Sequence, residues 1–162
     1  MGSEMCIRDS FQGIGKNKDG TQRVKGTNTC FWITRDKVPV HKKVTYARIV
    51  TDIRPEKDEP NRTRITAGGD RLDYLGDVST KTAGLETTKI VLNSVVSTPD
   101  AKFMTIDISN MYLNTPLADY KYMRFHIDLI PQEVIDEYNL RNKVDPNGWL
   151  YCEIRRAIYG LK

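Results

Sequence analysis

Histidine and cysteine are scarce in this 162-residue chain, with two of the first and three of the second. Cys6, Cys30 and Cys152 lie far apart, at no spacing used by a zinc site or a local disulfide framework. A zinc-cluster protein and a disulfide-stapled secreted domain are therefore both disfavoured, and a reduced intracellular setting is expected. Long apolar runs are missing too; the longest extend over only a few residues, against the roughly 20 needed to cross a bilayer. No membrane partner is expected. No internal repeat, coiled coil or low-complexity block is visible. What is present, 39% hydrophobic residues, suffices for one core. The chain reads as one soluble domain or part of a larger one.

Charge is unevenly spread. Residues 1–69 hold 14 Lys/Arg against 8 Asp/Glu, a surplus of +6, whereas residues 70–162 hold 11 against 13, a deficit of −2. The positive part suits phosphate and the negative part suits metal, although a bias of this size also serves simply to keep a surface solvated. Met5-Cys-Ile-Arg-Asp-Ser10 resembles the translation of a transposase-adapter end used in sequencing libraries, so residues 1–10 are set apart as an adapter-derived artefact. Residues 11–29 are rich in Gly, Lys, Asn, Asp and Thr, and residues 11–40 are expected to be mostly flexible. Gly13-x-Gly15 has no strand-to-helix frame and is not a phosphate loop.

Periodicity places the elements. Cys30–Thr34 reads as an edge strand. A two-residue alternation from Val44 to Thr51, a charged break at Arg54–Asn61 with two prolines, and a second run from Arg62 to Ala67 predict a β-hairpin with a charged tip. Arg62 and Arg64, two apart, share one face and suit a polyphosphate, or equally a solvated surface. Gly69–Gly84 reads as a long connection, and a helix over Glu86–Val96 carries Ile90, Val91, Leu92, Val95 and Val96 as a broad face to be packed on the sheet. Phe103–Ile108 is expected to be a strand that ends in a single carboxylate, Asp107. On spacing alone Asp107 reads first as a turn or capping residue. Beyond it come a half-buried strand over Tyr122–Ile127 with His126 on the polar side, a short helix after Pro131, a turn at Asp145–Gly148, a strand over Trp149–Ile154, and a presumed helix at the end. The fold class expected is α+β, a β-hairpin plus a mixed sheet with packed helices.

Four stretches resemble one family. Thr105-Ile-Asp-Ile-Ser-Asn-Met-Tyr-Leu-Asn-Thr-Pro-Leu117 is similar to the first catalytic motif of reverse transcriptases from copia-type LTR retrotransposons, in which an Asp is followed five residues later by an aromatic and then Leu-Asn. Tyr122-Met123-Arg124 resembles the family's Tyr-Met segment just downstream. Ala157-Ile-Tyr-Gly-Leu-Lys162 is similar to its Leu/Ile-Tyr-Gly-Leu-Lys-Gln sequence, and Arg62-Thr-Arg-Ile-Thr-Ala-Gly-Gly69 to its fingers motif. The resemblance covers about residues 41–162 and implies fingers with the first part of a palm, from an RNA-directed DNA polymerase.

The family's chemistry, carried onto these positions, implies two Mg²⁺ ions about 4 Å apart, held by carboxylates. Asp107 would bridge them and the Ile108 carbonyl would help hold the nucleotide-bound ion. Arg64 would contact the triphosphate, with Arg62 beside it and Lys57 at the hairpin tip as a weaker second contact. Tyr112 would sit beneath the sugar and exclude a 2′-hydroxyl; without the motif it would read as a core aromatic. The implied partners are an RNA or DNA template–primer, deoxynucleoside triphosphates and the remainder of a retrotransposon polyprotein, in the cytoplasm within a particle or in the nucleus. Met111-Tyr-Leu-Asn-Thr115 departs from the common Ala-Phe-Leu-Asn-Gly, and no Tyr-x-Asp-Asp occurs in the chain. A single Asp cannot hold two Mg²⁺ ions, so a fragment inactive by itself is expected. The alternative is a non-catalytic nucleic-acid-binding remnant that uses the basic hairpin and Arg155-Arg156, with Asp107 structural only.

Overall fold

A computed structural model describes residues 11–53, 55–56, 60–73, 82–106 and 111–161, with the backbone alone at 61–63, 111 and 112. The chain divides into two compact units, one of residues 1–74 with 110–162 and the other of 75–109. The architecture is α+β, with a two-stranded hairpin, a five-stranded mixed sheet and few helices. No helix among the described residues is long and apolar enough to cross a membrane.

In the larger unit the strands are β1 (Gly13–Lys16), β2 (Gln22–Lys25), β3 (Cys30–Ile33), β4 (Val44–Ile53), β5 (Asn61–Ala67), β6 (Pro116–His126) and β7 (Trp149–Arg156). β1 and β2 pair with each other, and the large sheet runs β3-β7-β6-β4-β5. All its neighbours are antiparallel except β4 and β6. β3 is an edge strand, as its short apolar run predicts. The turn into β7 forms as its residues demand: the Asp145 carboxylate accepts the backbone N–H groups of Asn147 and Trp149 at 2.9 and 3.0 Å, and Gly148 takes a positive φ of 82°.

Alternation along these strands makes two unlike faces. The inner face buries Cys30, Trp32, Thr45, Ile65, Ala67, Met123, Phe125, Leu150, Cys152 and Ile154. Helix α3 (Gln132–Glu137), opened by Pro131, adds Val134 and Ile135 to this core, and Ile130 and Leu140 flank it. Cys30 and Cys152, remote in sequence and expected to be unrelated, are neighbours here. Burial first, then a hydrogen bond with Cys30, pushes the Cys152 thiol well above its ordinary pKa.

Several expectations are corrected. Residues 11–29 form a hairpin whose two apolar anchors, Phe11 and Ile14, are each 1% exposed. Phe11 stacks on Trp32 with ring centroids 4.3 Å apart and planes 4° from parallel, which fixes the segment despite its polar composition. Phe103–Ile106 is not a strand; these residues have no regular structure, and Phe103, Met104 and Ile106 are exposed. In the 75–109 unit, helix α1 (Leu85–Ser97) occurs where expected, but no residue of it is buried. Within the 75–109 unit its apolar residues find no cover, because a unit this small has too little chain to enclose them. The end of the chain is also not helical: residues 157–161 run as an irregular turn.

Phe11→Ala should lower the unfolding free energy by about 3–5 kcal/mol through the cavity left beside Trp32, Phe125 and Tyr138. Urea denaturation measures this. A loss within error of zero would mean that the β1–β2 hairpin is not part of the core.

Candidate functional site: the arginine hairpin and the segment docked on it

β4 and β5 pair over seven positions from Ala47↔Ala67 to Ile53↔Asn61. The end nearest the sheet is anchored by Thr45 and Ala67, both buried, whereas Ile49, Val50 and Ile53 are exposed. The distal half therefore stands clear of the core, as a charged tip requires. Register puts Arg64 opposite Val50 and Arg62 opposite Asp52, so both arginines belong to one face of the hairpin.

Arg64 is held from several sides. Its guanidinium lies 4.0 Å from the Asp52 carboxylate and 5.9 Å from the centre of the Tyr159 ring. Its side chain is 28% exposed, while Nε is buried and has no hydrogen-bond acceptor among the described residues. A buried donor left without an acceptor costs about 1–3 kcal/mol, which the surrounding packing must offset. With one carboxylate at the limit of ion-pair distance, the exposed guanidinium edge remains able to meet an oxyanion.

The base of the hairpin is equally fixed. Gly68 donates its N–H to the Tyr46 carbonyl at 2.9 Å, and its carbonyl accepts from the Thr45 hydroxyl. A side chain at Gly68 would strike the Tyr46 ring. That ring is covered by Arg71 at 4.9 Å and gives its hydroxyl to Asp70 at 3.1 Å.

Residues 157–161 join the stretches that resembled one family. Ala67 donates its N–H to the Tyr159 carbonyl at 2.8 Å, tying the chain's end to β5. Ala157 donates to the Thr115 carbonyl at 2.8 Å, tying it to the turn after helix α2 (Met111–Asn114). Gly160, with φ of 89°, presses its α-carbon against the Ala67 backbone where no side chain fits. Tyr122–Arg124 lies in β6, bonded to both β4 and β7.

Of the residues singled out by sequence, Arg64 is fully described. Arg62 is placed by its backbone in β5 and Tyr112 by its backbone in α2. Asp107, Ile108 and Lys57 lie outside the described residues. Among the described residues no group of three or more His, Cys, Asp or Glu is gathered as a metal site would need. Sequence reasoning missed Tyr46, Arg71 and Tyr159 around the hairpin base. The parity of Tyr46 with Arg48 on β4 was a usable signal for the first, and the motif at Ala157–Lys162 for Tyr159, to which no role was given; Arg71 comes from a loop and left none. Comparison with protein-family models, with curated proteins and with solved structures finds no match.

Two measurements test this geometry. Gly160→Ala meets both the positive φ and the Ala67 carbonyl, whereas Gly20→Ala meets a similar φ of 85° with nothing within 4 Å of the new methyl. Gly160→Ala should therefore lose at least 1 kcal/mol more in urea denaturation than Gly20→Ala, and equal losses would mean the segment is not docked. The second concerns Asp145. Burial raises its pKa, but the Trp149 and Asn147 N–H groups, the Tyr151 hydroxyl and Arg35 together outweigh it and leave the value lowered. A carboxyl lowered on folding stabilises above its unfolded pKa and loses that contribution as pH falls through the folded one. Asp145→Ala should therefore lower Tm at pH 7 and cost progressively less below the ordinary carboxylate range. A Tm gap that does not narrow in acid would count against this.

Proposed function

We propose that this chain contributes the fingers and the first part of the palm to an RNA-directed DNA polymerase of a copia-type retrotransposon. The observation that carries the reading is the convergence at residues 157–160. Ala67 and Thr115, from two of the stretches chosen for their resemblance to one family, are each bonded through the backbone to a third such stretch, at Tyr159 and Ala157, although they are far apart in sequence. Segments that share a catalytic cleft need such mutual positioning.

In this reading the hairpin is the nucleotide-binding arm. Arg64, oriented by Asp52 and the Tyr159 ring, offers its exposed edge to the triphosphate. By the resemblance, Arg62 and Lys57 would add to this contact, and Tyr112 would lie under the sugar. Asp107 and the Ile108 carbonyl would hold Mg²⁺, which when bound neutralises charge developing on the attacking and leaving oxygens. The second set of carboxylates belongs to the intact polymerase, whose partners are a template–primer, deoxynucleoside triphosphates and the rest of the polyprotein, inside the cell.

The triphosphate contact gives the test. Binding of a fluorescent deoxynucleoside triphosphate should weaken about tenfold or more in Arg64→Ala and recover only in part in Arg64→Lys, because a lysine lacks the planar fork. Binding indifferent to Arg64 would remove the nucleotide-binding arm and with it the polymerase assignment.

A further inference from the structure

The outer face of the five-stranded sheet is chemically unlike a solvated surface. Register places Phe31 and Ile33 of β3, Trp149, Tyr151, Glu153 and Arg155 of β7, Tyr122, Arg124 and His126 of β6, and Val44, Tyr46 and Arg48 of β4 on this side. Helix α3 and the β1–β2 hairpin contribute to the opposite, core side; on the outer face Tyr122 and Tyr151 are buried, Tyr151 beneath Arg35 of the short 3-10 turn at Arg35–Lys37, and the other residues named are half-buried or exposed.

Arginine and aromatic rings are paired across it. Arg124 lies 4.3 Å from the Trp149 ring centre, and the Arg155 guanidinium is 4.1 Å from Phe31 and 5.5 Å from Tyr120. Arg35 sits 5.7 Å from Tyr151 and donates to its hydroxyl at 2.8 Å, and Arg71 covers Tyr46. Five such contacts within 6 Å lie on this one face.

Carboxylates engage only some of these cations. Arg155 shares Glu153 with the Tyr122 hydroxyl, and Arg35 lies 3.8 Å from Asp145. Arg48, Arg71 and Arg124 have no carboxylate partner among the described residues. An arginine laid on a ring has already given up much of its rotamer freedom, and its edge N–H donors stay outward. At the β4 side the face deepens into an open cleft of about 730 Å³ whose charged lining is Arg35, Lys42 and Arg124 with Asp36 and Asp145. That volume lies in the range of small-molecule sites and admits a nucleotide unit.

We infer that this outer sheet face is a binding surface for single-stranded nucleic acid, with Arg124 and Arg155 on phosphates several nucleotides apart and the half-exposed Phe31 and Tyr120 rings as stacking partners. Arg48, Arg71 and Arg124, without a carboxylate partner among the described residues, suit phosphate. The planar groups fit unpaired bases, whose faces stack on aromatic rings and guanidinium planes. The inference rests on and deepens the nucleic-acid side of the proposed function, on the side of the sheet that also carries Arg64 but at β6 and β7 instead of β5, and needs neither Mg²⁺ nor Asp107.

The test is fluorescence anisotropy of the full chain with a 5′-fluorescein 20-mer of uridine, in EDTA, across a salt series. The parent chain should bind at low salt, and an unlabelled 20-base-pair duplex should compete poorly. The Arg124→Ala/Arg155→Ala double variant should raise Kd at least tenfold and flatten the logarithmic salt dependence by about 1.4, at roughly 0.7 per phosphate on a single strand. The Arg124→Lys/Arg155→Lys double keeps the charge and guards against a folding defect. It should retain the salt slope while binding more weakly than the parent chain. Affinity within twofold of the parent in the alanine double, or a duplex that competes as well as the single strand, would overturn the inference. Because EDTA removes metal-dependent nucleotide binding, failure of the triphosphate test leaves this result standing, and the reverse holds too.

Discussion

The inner row of β7 constrains almost everything else in the larger unit. Leu150, Cys152 and Ile154 are all fully buried, and each faces a buried partner on β6 or lies beside one on β3. A strand's side chains alternate, so burying this row forces Trp149, Tyr151, Glu153 and Arg155 to the other side. A one-residue slip would exchange the two rows and place a glutamate and an arginine in the core, at a cost far above the stability of a domain this size. Register across β3, β7, β6 and β4 is thereby locked, and the composition of the outer face follows from the demands of the inner one.

The same strand determines what happens at the hairpin. β7 leaves the sheet at Arg156 and delivers residues 157–161 across the end of β5, where Ile158 enters the core and Gly160 lies flat against Ala67. Tyr159 is left beside Arg64. Core packing at Ile158 and ring placement at Arg64 are thus two consequences of one short segment. A side chain that disturbs the first disturbs the second.

Much of the sheet was legible because its signals are local. The hairpin at 44–67, the Pro131 helix start, the Asp145–Gly148 turn and the alternating β6 and β7 strands each follow from a few adjacent residues, and each is present. The failures have a different character. Residues 11–29 look flexible by composition, yet one stacked pair, Phe11 on Trp32, holds them, and no average over a segment registers a single long-range contact. Helix α1 was legible as a helix, since its apolar spacing is intrinsic to it, but its burial depends on what surrounds it and was not. Phe103–Ile108 has strand propensity with no strand pairing in residues 103–106, a reminder that propensity to fit a pleated sheet is realised only where a neighbouring strand exists. The cysteine pair failed for the same reason as Phe11: Cys30 and Cys152 meet only through the β3–β7 register.

Arginine rather than lysine at these positions has a physical rationale that links the hairpin to the sheet face. A lysine on the outer face would be a strongly hydrated point charge on a flexible stem, with little reason to lie on a ring. A guanidinium is weakly hydrated and planar, so Trp149 and Phe31 can hold Arg124 and Arg155 over their rings, Arg155 also donating its Nε–H to Glu153. Arg64 reaches a comparable state by other means, with Asp52 at ion-pair distance on one side and Tyr159 on the other. In each case the cost of orienting a long cation is met during folding instead of during binding, which leaves more of any later contact with an anion as net affinity. Positions where a ring or carboxylate fixes the arginine should therefore discriminate by geometry, whereas Arg48, exposed and without a ring beside it among the described residues, contributes charge alone.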